Sequence, residues 1–193
     1  AFLNSINFNF ETYEKHAFYS EYKLDLTIES LLSNYLSKQE LIDLKENYLA
    51  GAISAVKVSD YNSIIQLNEQ EDIKLKDNEV LVVSNYSRVN SALTEYMKNE
   101  NIIKIGDKAY AIKNESPIEE NIKMAGDIDF IYLIIPDNFN GDLQLELTSF
   151  NVIYEDRYAE KSEEKFSNLF NNLDQDQYRD VFPSLVIGST WDQ

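Results

Sequence analysis

The chain has 193 residues, of which 44% are hydrophobic and 12% aromatic, with five glycines, three prolines and no cysteine. Such a composition belongs to a folded protein with one good core or two small lobes. It excludes a disulfide framework, a thiolate metal site and a flexible Gly/Pro-rich linker. The formal net charge of −17 repels nucleic-acid backbones and argues against direct binding to DNA or RNA. The acid is unevenly spread: residues 137–193 hold twelve acidic and four basic side chains, a local −8. The longest apolar run, Phe130 to Ile135, is far short of the ~20 residues a membrane helix needs. Absence of cysteine outside a cell is ordinary for a Gram-positive surface protein, and the excess of lysine over arginine, fourteen to three, suits an AT-rich bacterial genome.

In chain order, Ile6, Phe8 and Phe10 alternate with asparagines as a strand does. His16 is the sole histidine and sits among tyrosines and phenylalanines, so it reads as structural or surface. Ser37 and Glu40 form a capping box. Leu41, Leu44, Tyr48 and Leu49 then give a helix one apolar face, and Gly51 stops it. Ala52 to Val58 reads as a strand. Ser59 or Asp60 is expected to cap a short helix with Tyr61, Ile64 and Ile65 on its inner side. After a charged break, Val80 to Val83 forms a strand that starts from Lys76-Asp77-Asn78-Glu79. Ser84 and Ser87 are candidate caps for a helix carrying Val89, Ala92, Leu93, Tyr96 and Met97. Ile102 to Lys113 reads as a hairpin turning at Gly106-Asp107, with Ile103, Ile105, Tyr110 and Ile112 as its inward residues.

Phe130 to Ile135 is the most apolar strand, suited to burial on both faces and ended by Pro136. The alternation Leu143, Leu145, Leu147 then changes phase to Phe150, Val152, Tyr154, and a bulge near Thr148-Ser149 accounts for the slip. Ala159, Phe166, Leu169, Phe170 and Leu173 mark a last, acidic helix, and the tail from Val181 to Trp191 is apolar enough to pack. Strands and helices interleave, but the hairpin and the long curved strand oppose a purely parallel sheet. The expected class is α+β: one mixed, largely antiparallel sheet with helices mostly on one face, in a single domain spanning residues 1–193 or as two small lobes.

Catalytic constellations are missing. There is one histidine, no nucleophile elbow, no phosphate-binding glycine loop and no complete calcium loop around Asp127 and Asp129. The chain therefore reads as a non-enzyme with no cofactor and no metal. The best candidate contact loop is "IIPDNFNGDLQ", where Asp137 and Asp142 flank Phe139. Glu155 and Asp156 extend the acid beyond it. Together Asp137, Phe139, Asp142, Glu155 and Asp156 are candidate contacts for a cationic peptide.

"VSDYNSIIQL" followed by "IKLKDNEVLVVSNY" resembles the extracellular domain of bacitracin-type (BceB-like) ABC transporter permeases. "IIKIGDKAYAIK" is similar to the hairpin that follows in the wider permease superfamily, and "DFIYLIIPD" to the next strand, so the resemblance runs from about residue 50 to 140. It implies a domain cut from between two transmembrane helices of a ten-helix permease on the outer face of a Gram-positive cell membrane. It implies a role in sensing and resisting peptide antibiotics that attack cell-wall lipid intermediates, and the charge of −17 fits cationic antimicrobial peptides, alone or complexed with those intermediates, as the partner. The implied partners are a separate ATPase subunit and a histidine kinase of two-component signalling. A stand-alone acidic surface or interaction protein is the alternative from a different class.

Overall fold

The computed structural model describes residues 16–46, 52–67, 69–119, 130–139 and 145–154, together with residues 164 and 168. By backbone proximity, residues 17–152 form one compact unit and residues 1–16 with 153–193 the other; the fold below is that of the first. Its elements are β1 (His16–Thr27), α1 (Ile28–Leu32), α2 (Lys38–Glu46), β2 (Ala52–Lys57), α3 (Val58–Gln66), β3 (Glu79–Ser84), α4 (Ser87–Glu100), β4 (Ile102–Ile105), β5 (Lys108–Ile112), β6 (Ile118–Glu119), β7 (Ile131–Ile135) and β8 (Glu146–Tyr154).

The strands make one mixed sheet in the order β4-β5-β3-β7-β2-β1-β8, with the short β6 beside β3. Antiparallel pairs are β1–β2, β3–β7 and β4–β5, and parallel pairs are β2–β7, β3–β5 and β3–β6. The fold is α+β, with β7 at its centre. Every residue of β7 is buried, as expected of a strand that carries apolar side chains on both faces and hydrogen-bonds on both edges. The hairpin turns at Gly106-Asp107 with Ile103 opposite Tyr110. Gly106 takes φ 59°, the left-handed conformation that a two-residue turn requires at its first position and that glycine adopts without strain.

The pleat sorts the core into two faces. On the first, Leu24, Ile53, Ala55, Val80, Val82, Ile103, Ile105, Tyr110, Ile112, Ile131, Leu133 and Ile135 pack with Ile28 and Leu32 of α1, Leu44 of α2 and the inner side of α4. The inner side of α4 consists of Val89, Ala92, Leu93, Tyr96 and Met97, the five residues at helical spacing. The second face is set by Ala17, Tyr19, Val56, Leu81, Val83, Tyr132 and Ile134, all buried. There α3 packs against β2 and β7, burying Tyr61, Ile64 and Ile65. Three of the four described helices thus cover one face and α3 the other.

Helices on the first face start on local devices. Thr27 and Ser30 exchange side-chain-to-backbone hydrogen bonds at the head of α1. Ser37 and Glu40 do the same for α2, at 2.7 Å for the Ser37 amide on Glu40 and 3.3 Å for the Glu40 amide on Ser37, which is a capping box. Two expected caps are corrected. The N-cap of α3 is Lys57, which makes no side-chain cap, so Ser59 and Asp60 lie inside the first turn. The N-cap of α4 is Tyr86, again without a side-chain cap. Ser84 instead accepts from the Tyr86 amide at 3.1 Å and donates to Asn90 at 2.8 Å, fixing the bend before the helix, and Ser87 is its first residue.

Leu145 packs against the first-face cluster, whereas Ser149 and Asn151 reach Glu21 on the second face. A regular strand would put all three on one side, so the alternation breaks between residues 145 and 149. The expected strand at Ile6–Phe10, the helix end around Tyr48, Leu49 and Gly51, the acids Asp127 and Asp129, and the apolar tail lie outside the described residues. Of the expected acidic helix, Glu164 and Asn168 are helical and exposed.

Candidate functional site

The C-terminal end of β7, the start of α3 and the turn before β3 meet at one end of the sheet, because β2 and β7 are parallel and β3 runs against them. Asp137, just past β7, is exposed and accepts a hydrogen bond from the Ser59 amide at 3.1 Å. It thereby supplies α3 with the cap its own sequence lacks, and its negative charge faces the positive end of the helix dipole. Asn138 donates to Asp77 at 2.9 Å. Phe139 is half-buried against the first-face core and stacks on Tyr110, with ring centroids 5.0 Å apart. Asp137 and Phe139 therefore sit on one turn but serve the fold, one as a cap and one as a ring anchor. Asp142, Glu155 and Asp156 lie outside the described residues.

The residues that carry the family resemblance also act structurally. Asp60 accepts from the Ser20 amide of β1 at 2.8 Å. Burial pushes its carboxyl upward, opposed by the Ser20 amide and the charge of Lys57, with Asp137 adding to the rise. Tyr61 is core. Asn62 donates to the Ile73 carbonyl at 2.9 Å and accepts from the Ile73 amide at 2.8 Å, so its side-chain amide pairs like a strand residue and pins the charged break. Lys76 to Glu79 close a turn, with the Glu79 amide on the Lys76 carbonyl at 3.0 Å and the Lys76 amide on the Glu79 carboxylate at 3.0 Å. That amide holds the Glu79 carboxyl below the usual range.

Asn114 repeats the device on β3, where it accepts from the Val82 amide at 3.1 Å and donates to the Val82 carbonyl at 2.9 Å. It fills the gap on that edge between the stretches paired with β5 and with β6.

A second group of polar side chains lies on the second face and was not visible in sequence. Glu21 of β1 receives the Tyr132 hydroxyl at 2.5 Å and the Asn151 amide at 3.3 Å, and Ser149 also hydrogen-bonds to it. Tyr132 in turn hydrogen-bonds Tyr19. The Glu21 carboxyl is thus held by side chains from β7 and β8, all of them neutral. Burial raises it above the ordinary glutamate value, partly offset by Tyr132, Ser149 and Asn151. Both tyrosines are pushed far upward by burial and then by the nearby Glu21 charge, so neither ionises near neutrality. The one signal in sequence is an acid, Glu21, two residues after Ala17-x-Tyr19 on the same side of a strand.

Among the described residues no group of three or more His, Cys, Asp or Glu side chains is placed to hold a metal ion, and no helix is long and apolar enough to cross a membrane. No family model matches the chain, and neither a curated protein nor a solved structure matches it.

Proposed function

We propose that this chain is a non-catalytic binding domain on the outer face of a bacterial membrane, where it engages cationic antimicrobial peptides, alone or bound to cell-wall lipid intermediates. In this reading it is the extracellular part of a BceB-like permease whose ATPase and histidine-kinase partners act elsewhere in the assembly. The observation that carries the reading is the net charge of −17. It is supported by the exposure of acids such as Asp25, Asp43, Glu71, Asp72, Asp107 and Asp137 in the described unit, and by the resemblance over residues 50–140.

Each exposed ion pair with a peptide contributes only about 0–1 kcal/mol, so the field of many acids, not one residue, draws the ligand. Because Asp137 has a structural duty, its contribution must be separated from that of Asp142, Glu155 and Asp156. The test is a titration of a cationic antibiotic peptide into the domain at low and at high salt, repeated with Asp142, Glu155 and Asp156 changed to amides, with and without Asp137→Asn. Affinity should fall as salt shortens the screening length to ~8 Å near physiological strength, and fall again in the triple variant. Binding that ignores salt and survives the substitutions would overturn the reading.

A further inference from the structure

Glu21 is a half-buried carboxyl on the second face of the sheet, and its partners come from two other strands. Tyr132 reaches it from β7, and Asn151 and Ser149 from β8. Thr148 of β8 adds a hydrogen bond to the Glu21 carbonyl at 3.1 Å. Among the described residues none of its partners carries a charge, so the ionised carboxylate is met there by hydrogen bonds but by no cation. A half-buried carboxylate without a cation is disfavoured relative to its protonated form.

We infer that Glu21 is an acid-operated clasp for β8: with a proton on its carboxyl β8 is held firmly to β1, and on ionisation part of that hold is lost. Separation of β8 from the sheet would let water reach the carboxyl and return it to its ordinary acidity. The closed arrangement therefore binds the proton more tightly than the open one. Closure is favoured below the ordinary glutamate value and weakens as pH rises through the value Glu21 has when closed. This direction agrees with burial as the leading influence on Glu21, ahead of the three hydrogen bonds.

The surrounding described groups leave Glu21 as the member of the cluster that titrates in this window. On β1 the same side of the strand carries Tyr19 and, beyond Glu21, Lys23. On β2 it carries Ser54 and Val56, and on β7 Tyr132 and Ile134. From β8 come Ser149 and Asn151. Asp60 of α3 is a nearby acid, bonded to the amide of Ser20, and burial raises its carboxyl too. The tyrosines stay neutral throughout the window.

Hydrogen exchange of the β8 amides from about pH 4 to about pH 8, corrected for the intrinsic rate, tests the clasp in the wild type, in Glu21→Gln and in Tyr132→Phe. In the wild type, opening should increase with pH by at most about tenfold per unit, the limit for one proton. Glu21→Gln should be flat, since it keeps the shape of the protonated acid. Tyr132→Phe should shift the dependence to higher pH, because it deletes a donor that favours the ionised form. A carbon NMR titration of the wild-type Glu21 carboxyl gives a reading independent of any variant, with a midpoint expected above that of an exposed glutamate. A midpoint at or below it would overturn the inference. So would a flat wild-type profile, or a pH dependence that persists unchanged in Glu21→Gln and so belongs to another titrating group.

Discussion

The two faces of the sheet are held by different means. On the first, α1, α2 and α4 press apolar side chains onto strands and begin on bonds made within a few residues of themselves, such as Ser37 with Glu40 and Ser84 with Tyr86. On the second, α3 begins with no cap of its own. It is fastened by bonds to distant segments: Ser59 to Asp137, Asp60 to Ser20, Ser63 to the Phe18 carbonyl at 3.2 Å, and Asn62 to Ile73. The first face gains from water exclusion, which is non-directional and tolerates repacking. The second adds directional bonds that fix register, and leaves carboxyls where burial perturbs them.

The largest expected effect separates the faces by charge. Leu133→Asp puts a carboxylate into the apolar first-face cluster and should cost several kcal/mol, enough to unfold the domain in a denaturant titration. Ile134→Asp, on the second face and fully buried, should be nearly as severe, because the donors around Glu21 are already engaged. If Ile134→Asp melts close to wild type, water reaches the second face at that strand. Leu93→Ala, which opens a cavity beneath α4, should cost about 2–5 kcal/mol, measured by urea unfolding.

Smaller effects probe how each helix is fastened. Asn62→Ala and Asn114→Ala each leave a backbone amide and carbonyl unpaired and should cost about 1–3 kcal/mol. Hydrogen exchange should place the loss at Ile73 and Val82 respectively. Ser37→Ala should cost about 1 kcal/mol and fray only α2. The smallest effect distinguishes the faces by sign. Glu40 is held below the ordinary range by its bonds to Ser37, so its support for α2 is present above the ordinary glutamate value and is lost as pH falls through its lowered value. Glu21 is raised, so Glu21→Gln should melt above wild type at neutral pH, and the difference should shrink as pH falls towards the ordinary glutamate value. Equal melting temperatures across that range would mean that Glu21 is well solvated.

What could be read from sequence was local. The apolar run of β7, the helical spacing in α4, the glycine turn of the hairpin and the Ser37–Glu40 box each lie within a span of fourteen residues or fewer. β1 escaped because apolar residues occupy both parities, with Ala17 and Tyr19 on one side and Tyr22, Leu24 and Leu26 on the other, so neither helical nor strand spacing dominates. The cap of α3 was misassigned because its acceptor is 78 positions away. The partners of Glu21 are 111 and 130 positions away, so nothing near it in sequence marks it as half-buried. Of the candidate contact residues, sequence placed Asp137 and Phe139 on one loop but could not show that each already has an occupation within the fold.

The side-chain amides of Asn62 and Asn114 have one further consequence, which is chemical ageing. Each uses its oxygen to accept from a backbone amide and its nitrogen to donate to the carbonyl of the same residue. Aspartate has almost the same shape, but where asparagine donates it can only accept, so it would set two oxygens against each other. In a chain with 34 acidic residues, these are two positions where one more acid is not tolerated. Hydrolysis of either amide, which adds about one mass unit, therefore does more than deepen the net charge. It unfastens the segment around Ile73 or the edge of β3 at Val82, so a stored sample that gains that mass at Asn62 or Asn114 should lose amide protection at the matching strand position.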